Sequence, residues 1–259
     1  QKFTELRQAK KKAFIAFITA GDPDLRTTEE LVLALEKAGA DIVELGVPFS
    51  DPLADGPTIQ AASYRSLQRG TTLKKILAVV KRIRQRSQVP LALMPYYNPV
   101  FHFGEKAFVA QAKAAGVDGV IIPDLPIEEA GDLRRFAMKD GLATIFFVAP
   151  TTTPDRLKPV VKAATGFIYY VSVAGVTGGR KAVASEIAKK IRLVKKVTDK
   201  PVCIGFGVSS PEEARAMSRV ADGVIVGSAI VKEIYKKKDA KDLLPHIRAF
   251  VAAMVKAIK

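Results

Sequence analysis

Two acidic residues occupy contrasting settings in the stretch from residue 41 to residue 60, which reads DIVELGVPFSDPLADGPTIQ. Glu44 falls within an apolar run typical of a buried parallel strand, where an ionised carboxylate is costly unless it is stabilised. Asp55, like Asp51 before it, lies in a loop stiffened by prolines, where an aspartate often does no more than make a turn. Because two carboxylates in different environments can act as acid and base, we predict proton-transfer chemistry here.

Two glycine-rich segments near the end of the chain indicate an anion site. They read CIGFGVS over residues 203–209 and IVGSAI over residues 225–230, and each follows a predicted strand. Glycines let backbone N–H groups approach a phosphate, and in α/β barrels the loops after strands seven and eight form a recurrent phosphate site with a short helix N-terminus. Close packing at strand ends is the alternative explanation for these glycines.

The elements that must position these residues alternate along the whole chain. Strands are predicted at 14–19, 42–46, 91–95, 119–122, 143–148, 167–172, 202–205 and 223–226. Helices are predicted at 28–38, 72–86, 106–115, 128–139, 154–164, 185–197, 211–218 and 243–258, with a short extra helix at 228–236. The fold class is therefore α/β, a single-domain (β/α)8 TIM barrel over residues 1–259 with a short extra helix after strand eight.

A doubly wound open sheet is the main architectural alternative. Such sheets usually carry a glycine-rich phosphate loop after the first strand, whereas the first strand here ends in TAGDP at residues 19–23. A barrel places its active site at the carboxyl ends of the strands. The Gly-rich and basic segment 173–184 (VAGVTGGRKAVA), which follows the sixth predicted strand there, is either a mobile lid or an ordinary connection.

Other catalytic chemistries are less well supported. No lysine falls at the inward end of a strand, as a Schiff-base mechanism would need, and the only histidines, His102 and His246, lack a metal-binding spacing. Cys203 lies within a strand and is more typical of a packing residue than of a nucleophile. We therefore predict carboxylate acid–base catalysis with no metal and no cofactor in this chain.

Composition limits the cellular setting and the kinds of partner. A single cysteine among 259 residues excludes an intrachain disulfide, and we find no secretory signal or apolar run long enough to span a bilayer. We expect a soluble cytoplasmic protein without a membrane partner. The 41 basic residues outnumber the 26 acidic ones, but they are spread over polar helix faces, so we expect no nucleic-acid partner.

Taken together, the motifs of this chain resemble those of a known family, the α subunit of tryptophan synthase. ELGVPFSDPLADGPTIQ at 44–60 is similar to the signature segment of that family, and six more motifs follow the family order over essentially the whole chain. They are FITAGDP at 17–23, YYNP at 96–99, PDLP at 123–126, GVTG at 175–178, GFG at 205–207 and VGSA at 226–229.

The resemblance implies an activity and assigns roles to residues. It implies a carbon–carbon lyase that cleaves indole-3-glycerol phosphate to indole and glyceraldehyde 3-phosphate, with Glu44 as the general acid–base and Asp55 as acceptor of the indole N–H. The substrate-binding positions that it implies are Phe17, Ile59, Tyr96, Tyr169 and Thr177, and the phosphate-binding positions are Gly178, Gly207, Gly227 and Ser228. Simple barrel filling is the alternative for the aromatic residues.

The resemblance also implies a partner. The family works with a β subunit that holds pyridoxal phosphate and receives indole in an α2β2 complex, and the positions matching its contact surface are Asp51, Pro52, Asn98 and Pro99. Exposed apolar residues at Val100 and Phe101 would fit such a surface. The alternatives are a stand-alone indole-3-glycerol-phosphate lyase, a non-catalytic phosphate- or polyanion-binding barrel, and a phosphosugar isomerase.

Overall fold

Eight short apolar segments form parallel strands that close into a barrel in sequence order. The computed structural model of the chain describes residues 1–171, 180–205 and 207–259, without the side chains of residues 180–184. The strands are β1 (Ala13–Thr19), β2 (Ile42–Gly46), β3 (Leu91–Met94), β4 (Gly119–Ile121), β5 (Ala143–Val148), β6 (Ile168–Val171), β7 (Val202–Gly205) and β8 (Gly223–Val226). The pairing of β8 with β1 closes the ring, so the predicted TIM barrel is confirmed.

Twelve helices lie within the described residues. They are α1 (Lys2–Gln8), α2 (Leu25–Lys37), α3 (Pro57–Gln68), α4 (Leu73–Ile83), α5 (Tyr97–Phe103), α6 (Glu105–Ala115), α7 (Gly131–Asp140), α8 (Pro154–Ala163), α9 (Arg180–Val197), α10 (Pro211–Ser218), α11 (Ser228–Lys237) and α12 (Leu243–Ile258). The extra helix predicted after strand eight is α11. None of the helices in the described part of the chain has the length and apolarity needed to cross a membrane.

Successive side chains of each strand point alternately into the barrel and toward the helices. In β1, Phe14, Ala16 and Ile18 belong to the large apolar layer between barrel and helices, whereas Ala13 and Ile15 belong to the inner cluster. The inner cluster also includes Ile42, Ile121, Ile145, Phe167, Cys203 and Ile225. The barrel interior is therefore packed with side chains, and a site can form only near its ends.

The start of α1 lies across the amino ends of the strands. Leu6 is buried against the inner cluster, and the ring of Phe3 lies 5.8 Å from that of Phe167. This end of the barrel is thereby covered, and the carboxyl ends of the strands carry the longer loops. The loop between β2 and α3 spans residues 47–56, and the connection between β6 and α9 includes residues 172–179, which lie outside the described part.

Several boundaries differ from the sequence-based prediction. The helix α9 begins at Arg180, so residues 180–184 do not belong to the loop predicted at 173–184. Strand β6 begins at Ile168 rather than at residue 167. Three helices, α1, α3 and α5, were not predicted at all.

Candidate active site

Glu44 points into the barrel. Val43 and Leu45 on either side of it pack in the outer apolar layer, and Ile42 packs in the inner cluster, so the two-residue period of β2 directs Glu44 inward. The residue is 0% exposed, and neither carboxyl oxygen accepts a hydrogen bond from the described part of the chain. Burial raises the pKa of Glu44 from 4.5 to about 8, so the side chain holds its proton at neutral pH.

Asp55 lies in the 47–56 loop and is held by a tyrosine. The Tyr96 hydroxyl accepts a hydrogen bond from the Ala54 N–H at 3.0 Å, and its ring stacks on Phe49 at 5.3 Å between centroids. Burial raises the pKa of Asp55 from 3.8 to about 6, and the hydrogen bond from the Tyr96 hydroxyl opposes that rise. Asp55 is therefore ionised at neutral pH, whereas Glu44 is mainly protonated.

A cavity of about 430 Å³ opens at the carboxyl ends of the strands. The predicted site residues that line it are Phe17, Asp55, Ile59, Tyr169, Gly207, Gly227 and Ser228. The apolar members come from β1, α3 and β6, so separate elements build one pocket with an acid at its rim. Such a pocket suits a mainly apolar ligand that carries a few polar groups.

Glu44 lies below this cavity rather than on its surface. It is absent from the lining, but its strand neighbour Phe17 is part of the lining. Tyr169 interacts with both acids. Burial raises the pKa of its phenol, and negative charge on Glu44 and on Asp55 raises that pKa further. The structure thus brings both carboxylates to the same end of the barrel at different depths.

The predicted anion site surrounds the start of α11. Gly227 precedes this ten-residue helix, and within the described residues no side chain caps its first N–H groups. A Cβ atom at Gly227 would lie 3.2 Å from Cδ1 of Phe17, and Gly207 has a left-handed backbone with φ of 78°. Free N–H groups and the positive end of the helix dipole together favour a phosphate beside Ser228.

Two of the predicted site residues, Thr177 and Gly178, lie outside the described residues. Tyr96 is 4% exposed and does not line the large cavity, but it lines a small neighbouring cavity together with Asp55 and Ile59. Tyr96 therefore contacts the loop that carries Asp55.

The positions predicted to meet a partner lie on the same end of the barrel. Asp51 and Asn98 are exposed, and Pro52 and Pro99 are partly exposed. Leu53 is 94% exposed and Phe101 is 67% exposed, so two large apolar side chains face solvent in this region. The expectation that Val100 is also exposed is wrong, because Val100 is 0% exposed and packs into the outer apolar layer on the inner side of α5.

Other lining residues were not predicted from the sequence. Met94 and Phe147 contribute to the cavity, as does Ser209 at the end of the predicted anion segment 203–209. The alternation along β5 could have identified Phe147, because it stands two positions after the inward-facing Ile145 at the carboxyl end of the strand. Within residues 1–171, 180–205 and 207–259, no group of three His, Cys, Asp or Glu side chains is arranged to hold a metal ion.

Comparison with known proteins matches this geometry to one family. The family profile described as "Tryptophan synthase alpha chain" matches residues 3–259. The tryptophan synthase alpha chain of Geotalea daltonii is 52% identical over 252 residues, which cover 97% of this chain and 95% of that protein.

Solved structures agree with the sequence match. Subunit alpha of tryptophan synthase from Legionella pneumophila superposes with a TM-score of 0.93 at 38% identity, covering 99% of this chain and 96% of that one. A chain from the tryptophan synthase complex of Pyrococcus furiosus gives a TM-score of 0.85 at 38% identity, covering 95% and 99%. With its acids, cavity and glycine-rich strand ends in one closed barrel, this chain belongs to the tryptophan synthase alpha chain family.

Proposed function

We propose that Glu44 and Asp55 divide the proton chemistry of the reaction of this family, the retro-aldol cleavage of indole-3-glycerol phosphate to indole and glyceraldehyde 3-phosphate. The observation that carries the proposal is the buried Glu44, which has a pKa of about 8 and lies beneath a cavity with an ionised acid at its rim. One acid can deliver a proton at neutral pH while the other supplies negative charge.

Protonation of the indole ring is the first step of the reaction. Glu44 gives its proton to C3 of the indole, and the ring nitrogen then carries positive charge. The carboxylate of Asp55 accepts a hydrogen bond from the indole N–H and stabilises that charge. This role requires an ionised acid, which agrees with the lower pKa of Asp55.

Cleavage of the carbon–carbon bond completes the cycle. The electron pair of the bond returns to the indole ring, and the hydroxyl on the departing carbon loses its proton and becomes the aldehyde. The ionised Glu44 takes up that proton, so the enzyme ends in its starting state. No external acid, base or oxidant is needed for this balance.

The rest of the cavity fixes the substrate. Phe17, Ile59, Tyr96 and Tyr169 surround or support the space for the indole, and the resemblance adds Thr177 to them. The first N–H groups of α11, with Gly207, Gly227 and Ser228, hold the phosphate, and Gly178 joins them by the same resemblance. The cavity volume of about 430 Å³ is in the range of small-ligand pockets.

The product indole passes to a β subunit in an α2β2 complex. The exposed side chains of Leu53 and Phe101, next to Asp51, Pro52, Asn98 and Pro99, support a partner on this face of the barrel. The similar chain from Pyrococcus furiosus comes from a tryptophan synthase complex. The partner holds pyridoxal phosphate, and this chain needs no cofactor of its own. The chain forms one domain over residues 1–259 and acts in tryptophan biosynthesis in the cytoplasm.

Substitution of the two acids tests the assignment. Glu44→Gln should lower the rate of indole release by about 10²–10⁴-fold and leave the affinity for a substrate analogue nearly unchanged, because only the proton carrier is lost. Asp55→Asn should weaken both rate and affinity by about tenfold to a hundredfold. Exposed matched controls are Glu129→Gln and Asp239→Asn. Wild-type turnover in Glu44→Gln would refute the role of Glu44.

The same assay separates the alternatives. A non-catalytic phosphate-binding barrel or a phosphosugar isomerase would release no indole from indole-3-glycerol phosphate. A stand-alone lyase would release it at a rate that purified β subunit does not change. We expect added β subunit to raise the rate, because it covers the exposed loop that carries Asp55.

A further inference from the structure

A second cavity, of about 300 Å³, lies at the opposite end of the barrel from the active site. It is formed between α1, the segment that leads into β1, and the starts of β7 and β8. Four cationic side chains line it, those of Arg7, Lys10, Lys11 and Lys12. The cleavage reaction uses none of them.

The positive charge of this cavity is only partly neutralised. Its one acidic lining residue, Asp222, accepts a hydrogen bond from Lys195 at 2.8 Å, and Lys12 lies farther away at 3.9 Å. Arg7 donates only to a backbone carbonyl, that of Asp199, at 3.3 Å. Within the described residues no carboxylate lies within ion-pair distance of Arg7, Lys10 or Lys11, so these three exposed cations line the cavity without an acidic partner.

Lys10 has an unusual backbone conformation. Helix α1 ends at a turn in which the Lys11 N–H donates to the Leu6 carbonyl at 2.8 Å, and Lys10 takes a left-handed conformation with φ of 54°. It is the one non-glycine residue with positive φ in the part of the chain that the structure describes. Glycine adopts this conformation without a Cβ penalty, so a lysine at this position carries local backbone strain.

The rest of the cavity wall is apolar. Phe3, Leu6 and Pro201 line it beside the cations. A wall of this kind matches the organic part of a ligand, and the fork of an arginine with neighbouring lysines matches a phosphate group. We propose that this cavity is a binding site for small phosphate esters, separate from the substrate phosphate site at α11.

Site-resolved NMR tests the proposal without reference to catalysis. The ¹⁵N-labelled full chain is titrated with phenyl phosphate at pH 8 and constant ionic strength, and the amide signals of residues 9–13 are followed apart from those of residues 227–231. We expect a saturable shift at residues 9–13. The signals of residues 227–231 report the active site, so failure at one site is distinguishable from failure at the other.

Charge-matched variants identify the groups responsible. The triple variant Arg7→Ala, Lys10→Ala, Lys11→Ala should weaken binding at residues 9–13 by about tenfold, since three exposed ion pairs to the phosphate each contribute roughly a factor of two. The control variant Lys74→Ala, Lys81→Ala, Lys139→Ala removes the same charge from exposed helix positions and should change the affinity less than about twofold.

Lys10→Gly separates binding from helix stability. Glycine relieves the left-handed strain, so the melting temperature should stay equal or rise while the affinity for phenyl phosphate falls. The proposal is overturned by the absence of a saturable shift at residues 9–13. It is also overturned by an equal loss of affinity in the control triple variant, or by equal shifts with phenol, which lacks the phosphate.

Discussion

A Cβ atom on Gly205 would lie 2.5 Å from the hydroxyl oxygen of Tyr169 and 2.6 Å from its Cε1. These two residues occupy neighbouring strands, β7 and β6, and the Tyr169 ring lines the substrate cavity. The absence of a side chain at Gly205 thus gives the ring its place. Any larger residue there has to displace the ring from its place in the cavity wall.

Gly205→Ala is therefore expected to damage the active site while the barrel still forms. We expect kcat/KM for indole release to fall by about tenfold or more, because a displacement of about 1 Å at an active site can cost a hundredfold. Gly131→Ala is the matched control, because a Cβ atom at Gly131 would meet no atom within 4 Å. Steady-state kinetics of the two variants decides the prediction, and equal activity of both would contradict it.

The proton held by Glu44 should also affect stability. Its pKa is about 8 in the folded chain against 4.5 ordinarily, so between these values the unfolded chain releases a proton that the folded chain keeps. The free energy of unfolding then decreases as pH rises through this range, by at most about 1.4 kcal/mol per pH unit. Glu44→Gln removes this contribution.

Urea denaturation at several pH values measures the effect of Glu44. The stability of Glu44→Gln relative to the wild type should increase from about pH 4.5 to pH 8 and level off above that. All other titrating groups are shared by the two proteins and cancel in the difference. A difference that does not depend on pH would mean that the pKa of Glu44 is not raised by folding.

Tyr96→Phe should weaken the support of Asp55. The substitution removes the acceptor of the Ala54 N–H, and it removes the hydrogen bond that lowers the pKa of Asp55. That pKa should then rise above about 6, and the acidic limb of the pH–rate profile should move to higher pH. Tyr64→Phe on the exposed side of α3 is the control, and it should keep the wild-type profile.

Arg65→Met should destabilise the fold by leaving a buried carboxylate unpaired. Arg65 on α3 donates two hydrogen bonds to Asp22, at 2.9 and 2.6 Å, and Asp22 is only 4% exposed. We expect a loss of about 2–3 kcal/mol in the free energy of unfolding, somewhat less than for a fully buried pair because Arg65 keeps some solvent contact.

The pair Arg156 and Glu128 provides the comparison for Arg65. It also has two hydrogen bonds, at 2.8 and 3.1 Å, but about half of each side chain is exposed. Arg156→Met should therefore cost much less stability than Arg65→Met. Equal losses in chemical denaturation of the two variants would show that burial does not set the contribution of the Asp22 pair.

The sequence predicted the strands better than the helices because strands here are short apolar runs between punctuating residues. The bounds of β2 and of β5 were predicted correctly, and Glu44 was placed from its position in β2 alone. Helix α3 was missed because Pro57 was interpreted as a loop residue, although proline is favoured at the first position of a helix. Helix α1 was missed because only Leu6 on it is buried, so it lacks an apolar periodicity.

The site was harder to predict than the fold, because a sequence pattern does not indicate how deeply a side chain lies below the surface of a cavity. Alternation indicates that Glu44 points inward, but it does not indicate that the carboxyl group lies below the cavity surface. Val100 was expected to face solvent because it lies next to positions that match the partner surface of the family, and instead it packs α5 onto the barrel. Such cases depend on tertiary packing, and a local sequence pattern contains no information about it.

The two acids differ in how they are attached to the molecule. Glu44 belongs to a strand with neighbours on both sides, so the closed sheet itself fixes it, whereas Asp55 belongs to a loop that is held next to it by the hydrogen bond from the Ala54 N–H to the Tyr96 hydroxyl. On the proposed mechanism, a partner that docks on this loop would act on Asp55 and leave the strand that holds Glu44 in place. The fold thus places the charged acid on a loop that a partner can reach and the proton donor in a sheet that it cannot reach.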